Sequence, residues 1–256
     1  MSVGTERSLG VYVYGVVPGD VELPEDASGV GAKPGEVEIV RHGEIAALTS
    51  EVPLDRPLGT PDDLYRHQSL LDATVAEVPV LPLRFGAVLT STEAVVDELL
   101  APHGEEFLAG LKELEGRVQY VVKGRYVEQA VLREVLEEVP EAARLREEIR
   151  DMDEDLARDV RIRLGELVGN AIAAKREADT RALLEAVAPV SLLRNVREPS
   201  HELDAVHLAF LVARDRQADL EQVAGEFADR WAGRVEFRLL GPMAAYDFIV
   251  SRKDGG

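Results

Sequence analysis

The sequence predicts an α/β (α+β) chain of two domains: an N-terminal mixed α/β domain over residues 1–114 and a C-terminal ferredoxin-like, split βαβ domain over 115–256. Three observations carry that prediction. A chain of 256 residues exceeds the roughly 100 to 150 that one typical core organises. The first half reads as strands around amphipathic helices, with Pro- and Gly-rich breaks between them. From Gly116 onward the elements run β, long α, β, β, α, β, which is the split βαβ order.

The first strand is LGVYVYGVV, residues 9–17. Val11, Val13 and Val17 alternate there with Tyr12, Tyr14 and Val16, and because both faces are apolar the strand belongs in the middle of a sheet. After a Pro/Gly-rich loop, EVEIVR and EIAALTSEV meet across His42-Gly43 as a hairpin. In that loop Gly29, Gly31 and Gly35 miss the spacing of a dinucleotide fingerprint, and Pro34 stands where a helix would open, so they read as a turn. Thr60-Pro61-Asp62-Asp63 supplies a cap, a proline and early acids for a helix over 62–76, with Leu64, Leu71 and Val75 on its apolar side. VPVLPLRFGAVL, residues 78–89, is a strand expected at a sheet edge or irregular, because Pro82 has no N–H to give a ladder. Its alternation sets Leu81, Leu83 and Phe85 opposite Val80, Pro82 and Arg84. Thr92 opens a further amphipathic run over 93–114, which Pro102 and Gly104 should interrupt.

In the second half RVQYVVK is a strand, and residues from about 126 to 187 are helical, divided at Pro140 and ended before Pro189. Ile149, Met152, Leu156, Val160, Leu164, Leu167 and Ile172 trace one apolar stripe. A single straight helix from Glu141 to Val187 would be on the order of 70 Å long, so a break or a projecting helical hairpin is expected. Gly165 and Gly169 either admit a close helix or merely weaken their own. Strands at 190–196, 206–214 and 234–240 follow, with a helix before the last that buries Leu220, Val223, Phe227 and Trp231. After Gly241-Pro242, YDFIV reads as a closing strand with Tyr246, Phe248 and Val250 toward the core.

Composition narrows the function. With 48 acidic against 29 basic side chains the net charge is -19, a surface that repels phosphate backbones and anionic headgroups, so no nucleic acid partner is expected. The absence of cysteine removes thiolate nucleophiles and Cys-based metal sites and fits a cytoplasmic protein. No secretory leader is visible, and no apolar run approaches the roughly 20 residues needed for membrane insertion.

Several segments together resemble one family, the accessory gas vesicle proteins F and L. They are VYVYGVV, VLPLRFGAVL, GRVQYVVK, the LLRN segment followed by AFLVARD, and the terminal RVEFRLLGPMAAYDFIV, in that order along nearly the whole chain. The resemblance implies a two-domain protein with a ferredoxin-like second domain and a non-enzymatic role in building gas vesicles. It implies gas vesicle association, and as partners the small hydrophobic gas vesicle shell protein and other gas vesicle accessory proteins. Relatives often continue the terminal Gly-Pro with tryptophan and further prolines, whereas this chain has Met243-Ala244-Ala245, which implies a less rigid loop.

The chemistry-bearing residues agree with a binding protein. Phosphate-cradle, nucleophile-elbow and zincin motifs are missing, so no catalytic residue, cofactor or metal is assigned. His201 and His207 with Glu202 and Asp204 form the one cluster with metal-ligand chemistry, and a solvated loop entering a strand accounts for it better. The charged run 133–166 is either an electrostatic docking surface or, preferably, a solvated helix face laced by opposite charges. Six residues remain as candidate structural or partner-contact positions: Arg84, Phe85, Gly241, Pro242, Tyr246 and Phe248. Arg84 reads as a fork tying a carboxylate or loop carbonyls between the domains, ahead of an exposed partner contact. Tyr246 and Phe248 read as core-facing, ahead of a rigid anchor offered to a partner. The rival class is a small-molecule-binding regulatory protein, since ferredoxin-like pairs often hold ligands at their sheets. An enzyme built on converging carboxylates or a Ser/His pair is the third.

Overall fold

The first predicted strand becomes β1 (Leu9–Pro18), buried along nearly its whole length because it takes partners on both sides. The computed structural model describes residues 9–23, 27–30, 36–55, 57–150, 152–153 and 156–249. Of the predicted glycine turn, Gly31 and Gly35 lie outside the described residues. The chain divides into two units, Met1–Gln119 with Pro242–Gly256, and Tyr120–Gly241. The division falls inside a strand, and from Pro242 the chain rejoins the first unit, where the sequence kept 115–256 together.

In the first unit β2 (Val37–His42) and β3 (Ile45–Pro53) form the antiparallel hairpin. Gly43 at φ 59°, with no positive φ at Glu44, is the glycine-first two-residue turn whose twist suits the flanking strands. The predicted strand 78–89 splits in two. β4 (Leu81–Pro82) and β5 (Val88–Leu89) each pair antiparallel with β1, and the segment between them loops out. The sheet order is β2-β3-β1-β4, with β5 also on β1, so the tyrosine-bearing strand is central as expected. β1 shifts register between Val13 and Gly15, and a Cβ on Gly15 would stand 2.8 Å from the Leu81 carbonyl oxygen, so this crossing needs glycine.

Helix α1 (Pro61–Glu77) opens on the predicted cap as a reciprocal box. Thr60 Oγ1 accepts from the Asp63 N–H at 3.2 Å, and Asp63 Oδ2 accepts from the Thr60 N–H at 3.1 Å. The buried face is Asp63, His67, Leu70, Leu71, Thr74 and Val75, whereas Leu64 is 48% exposed, a correction to the predicted stripe. Nor does Pro102 interrupt the next helix. α2 (Thr92–Ala94) widens into a π-helical turn, Val95–Leu100, and continues as α3 (Ala101–Leu114). The Ala101 N–H reaches back to the Val96 carbonyl, and this wider turn relieves the clash and missing donor that Pro102 would bring to an α-helix interior.

The second unit holds β6 (Arg117–Tyr126), which crosses the boundary, then α4 (Glu128–Glu138), α5 (Pro140–Arg150), α6 (Arg158–Val187), β7 (Leu193–Val196), β8 (Asp204–Ala213), α7 (Gln217–Arg230) and β9 (Val235–Met243). The sheet order β7-β8-β6-β9 is the split βαβ arrangement predicted for this half. Gly124 marks the helix-covered face of the sheet. A Cβ there would meet Val206 Cγ2 at 2.7 Å and Val235 Cγ1 at 3.0 Å, which puts positions 124, 206 and 235 on one side. The helical territory breaks between α5 and α6 rather than running straight, so the seven-residue stripe is discontinuous, and Leu156 is exposed outside either helix. In α7 Ala224 joins Leu220 and Phe227 in the core, while Val223 is half-buried.

Among the described residues the predicted closing strand does not form. Residues 244–249 form turns, and Val250 lies outside the described residues. Among the described residues no helix is long and apolar enough to cross a membrane.

Candidate functional site

In the first unit the central strand and α1 assemble a buried polar and aromatic cluster. Alternation along β1 and the i, i+4 spacing of Asp63, His67 and Leu71 aim Tyr12, Tyr14 and His67 into one space. The Gly86 N–H donates to the Tyr12 oxygen at 3.2 Å, and Tyr12 and His67 Nδ1 are hydrogen-bonded at 2.9 Å. With Nδ1 accepting from the Tyr12 hydroxyl, the neutral imidazole carries its proton on Nε2, which meets no acceptor at hydrogen-bond geometry among the described residues. Burial pushes the His67 pKa down to about 4, against a smaller opposing pull from the Leu83 backbone. Burial likewise raises Tyr12 to about 12 and raises Tyr14, whose oxygen bonds Ser50 Oγ at 2.8 Å and accepts from the Val30 N–H.

The turn at residues 244–249 is built onto this cluster. Tyr246 lies 6.5 Å, ring to ring, from His67, and burial, with Asp72 and Tyr12 nearby, raises its hydroxyl pKa. Asp72 accepts from the Ala244 N–H at 3.3 Å. Gln119, fully buried, donates to Asp247 Oδ2 at 2.6 Å and accepts from the Asp247 N–H at 2.9 Å. Ala244 and Ala245 are buried in the same turn, so small side chains are what let this segment close down, in place of the looser loop expected at Met243-Ala244-Ala245.

The six candidate positions therefore separate. Phe85 and Tyr246 converge on His67, Phe85 at 5.6 Å between ring centroids. Phe248 is half-buried in the turn, while Gly241 and Pro242 are exposed at the end of β9. Arg84 is exposed and, among the described residues, has no carboxylate or carbonyl partner. Sequence reasoning missed His67 and Gln119. The signal for His67 was its place on the Asp63–Leu71 stripe, hidden because Leu64 was taken to set the helix face.

A second polar assembly ties the second unit together. Arg234 reaches both oxygens of Glu134 at 2.9 and 3.1 Å and Asp179 Oδ2 at 2.8 Å, and lies over the Tyr126 ring at 5.2 Å. Lys175 pairs with Glu134 at 3.0 Å and Glu138 at 2.6 Å. Desolvation opposes both charges, but the paired ions prevail, lowering the Glu134 pKa and raising that of Lys175. Together with Arg163 on Glu141 at 2.5 Å, these bonds spend much of the charged run on lacing α4 and α5 to α6. His201 Nδ1 accepts from the Leu203 N–H and His207 Nε2 bonds Arg197, while Asp204 closes the intervening turn on Ser200 and His201. Among the described residues no three His, Asp or Glu side chains converge as metal ligands. A cleft of about 250 Å³ in the first unit is lined by Asp20, Val21, Glu22, Thr74, Glu77 and Val78, three of them carboxylates.

The family model described as gas vesicle synthesis protein GvpL/GvpF matches residues 10–250. Gas vesicle protein F of Streptomyces sp. (strain CB03234) is 33% identical over 245 residues, spanning 94% of this chain and 100% of the relative. The crystal structure of the gas vesicle protein GvpF from Anabaena sp. PCC7120 shares the fold at a TM-score of 0.76 and 22% identity, covering 94% of this chain and 98% of that one. The GvpF structure from Microcystis aeruginosa is similar at a TM-score of 0.74 and 19% identity over the same shares.

Proposed function

The chain belongs to the gas vesicle synthesis protein GvpL/GvpF family, and from that premise we propose that it is required for gas vesicle formation, as a binding protein that holds the hydrophobic shell subunit before it polymerises. The observation that carries the reading is the match over residues 10–250, which takes in both units rather than one module. Its membership makes it a gas vesicle accessory protein; the shell subunit as partner, contact with other accessory proteins and action in the cytoplasm on the nascent vesicle are the finer claims.

Two features support binding over chemistry. The buried histidine of the first unit, His67, is neutral, enclosed by aromatic rings and 4% exposed, so it is poorly placed to meet a substrate. In the second unit aliphatic side chains face solvent instead of the core: Leu156 and Ile162 around the start of α6, and Leu192, Leu193 and Val196 at β7. Exposed aliphatic clusters on an otherwise strongly acidic chain suit a hydrophobic protein partner. The test is co-purification. Tagged chain from vesicle-forming cells should bring down the shell subunit through a salt wash, whereas recovery of neither shell subunit nor accessory protein refutes the reading.

A further inference from the structure

Among the described residues β7 is the terminal strand of its sheet, with β8 on one side and no strand on the other. All four of its residues are exposed, while β8 beside it is almost wholly buried. Edge strands are ordinarily kept from pairing by shortness or by charge. This one is short and carries Arg194, yet it also exposes Leu193 at 47% and Val196 at 53%, with Leu192 just before it exposed at 48%.

The main chain has an open side to match. The Arg197 N–H donates to the His207 carbonyl at 2.9 Å, and β7 pairs antiparallel with β8 with Asn195 opposite Ala209. Alternation in an antiparallel ladder then directs the Asn195 N–H and C=O to β8 and those of Val196 away from it. The side-chain chemistry beside that edge is cationic on a chain of net charge -19. Arg194 Nη1 rests on Ser191 Oγ at 3.2 Å and on the Ala188 carbonyl at 3.4 Å. Its Nε and Nη2 meet no protein acceptor among the described residues, which leaves one side of the guanidinium fork for a carboxylate.

We propose that β7 is the docking edge for the shell subunit: an extended aliphatic segment of that subunit adds as a fifth strand and presents an acidic side chain to Arg194. The proposal rests on the shell-binding reading above and names its surface. Main-chain pairing supplies the affinity, Leu193 and Val196 pack on alternate side chains of the added strand, and Arg194 selects against basic segments.

Val196→Pro separates this mode from side-chain adhesion, because it removes the outward N–H without touching the ladder to β8. The probe is purified shell subunit held soluble in mild detergent, titrated against the full chain, with hydrogen exchange followed on the complex. Binding should slow exchange of the Val196 amide. Val196→Pro should weaken binding about tenfold, the order expected from one or two lost hydrogen bonds and their packing. Arg194→Glu, an exposed substitution that leaves the ladder intact, should weaken it comparably and lose the wild-type sensitivity to salt. Circular dichroism checks that each variant keeps its fold. Unchanged affinity in the Arg194→Glu and Val196→Pro variants, with no protection at Val196, overturns the docking edge while shell binding stands. Absence of binding by the wild type overturns both. Loss of self-association in the variants, with shell binding intact, assigns the edge to a second copy of this chain and also overturns the proposal.

Discussion

His67 makes the stability of the first unit depend on pH in a way that one substitution should erase. Its imidazole is 4% exposed, its Nδ1 is occupied by the Tyr12 hydroxyl, and its pKa falls from 6.5 to about 4. A group with a depressed folded-state pKa that is neutral when deprotonated contributes fully above the unfolded value. As pH falls below 6.5 the unfolded chain takes the proton and the folded one does not, so stability is lost until the folded ring also titrates near 4. That interval corresponds to about 3 kcal/mol. The titratable groups facing the ring are Tyr12 and Tyr14 from β1 and Tyr246 from the terminal turn, with Asp63 and Arg66 of its own helix acting on those β1 tyrosines. The tyrosines stay protonated throughout this window because burial raises all three. Asp72, whose pKa burial also raises, works in the opposite direction, but it does so equally in wild type and variant and cancels in their difference. His67→Gln keeps an acceptor for Tyr12 and cannot titrate. Urea denaturation between pH 7 and 4, read by circular dichroism, should show the wild type losing about 3 kcal/mol more than the variant. Trp231, the one tryptophan and a member of the second unit, supplies a fluorescence signal from outside the cluster. Parallel pH profiles for wild type and variant would refute the assignment of a buried, neutral His67.

Arg234→Ala removes the cation shared by Glu134 and Asp179, leaving Glu134 to Lys175 alone and Asp179 to the Tyr126 hydroxyl in a partly buried site; thermal unfolding should show a loss of about 2 to 3 kcal/mol. Gly124→Ala puts a methyl 2.7 Å from Val206 Cγ2 and should cost about 1 to 3 kcal/mol by forcing β8 and β9 side chains apart, measured by urea denaturation. Thr60→Ala opens the capping box at the start of α1 and should cost about 1 kcal/mol, with faster hydrogen exchange confined to the first turn of that helix.

The parts of this fold that were legible are those whose signals are local. Thr60-Pro61-Asp62-Asp63 announced α1 to within one residue, and the β-α-β-β-α-β order announced the second sheet before any pairing was known. Signals that depend on distant partners were not legible. The VLPLRFGAVL segment alternates like one strand, but β1 bonds it from Leu81 to Leu83 and from Ala87 to Leu89, so Arg84 turns to solvent in the intervening loop. YDFIV also alternates, yet Gln119 and Asp72, 128 and 172 residues away from their partners, hold it as a turn. Pro102 looked like a helix stop because a widened turn ahead of it is invisible in composition. The candidate positions fared likewise: the aromatics Phe85 and Tyr246 were found by their type, and their common neighbour His67 was not, since only tertiary packing brings β1, α1 and the terminal turn together.

The proposed role requires this chain for bringing shell subunits into a growing vesicle. Deleting its gene in a vesicle-forming host and counting vesicles by electron microscopy, with the gene restored in parallel, tests it most directly. Loss of vesicles on deletion and their return on complementation is the predicted result; vesicles of normal size and full number in the deletion strain would contradict it.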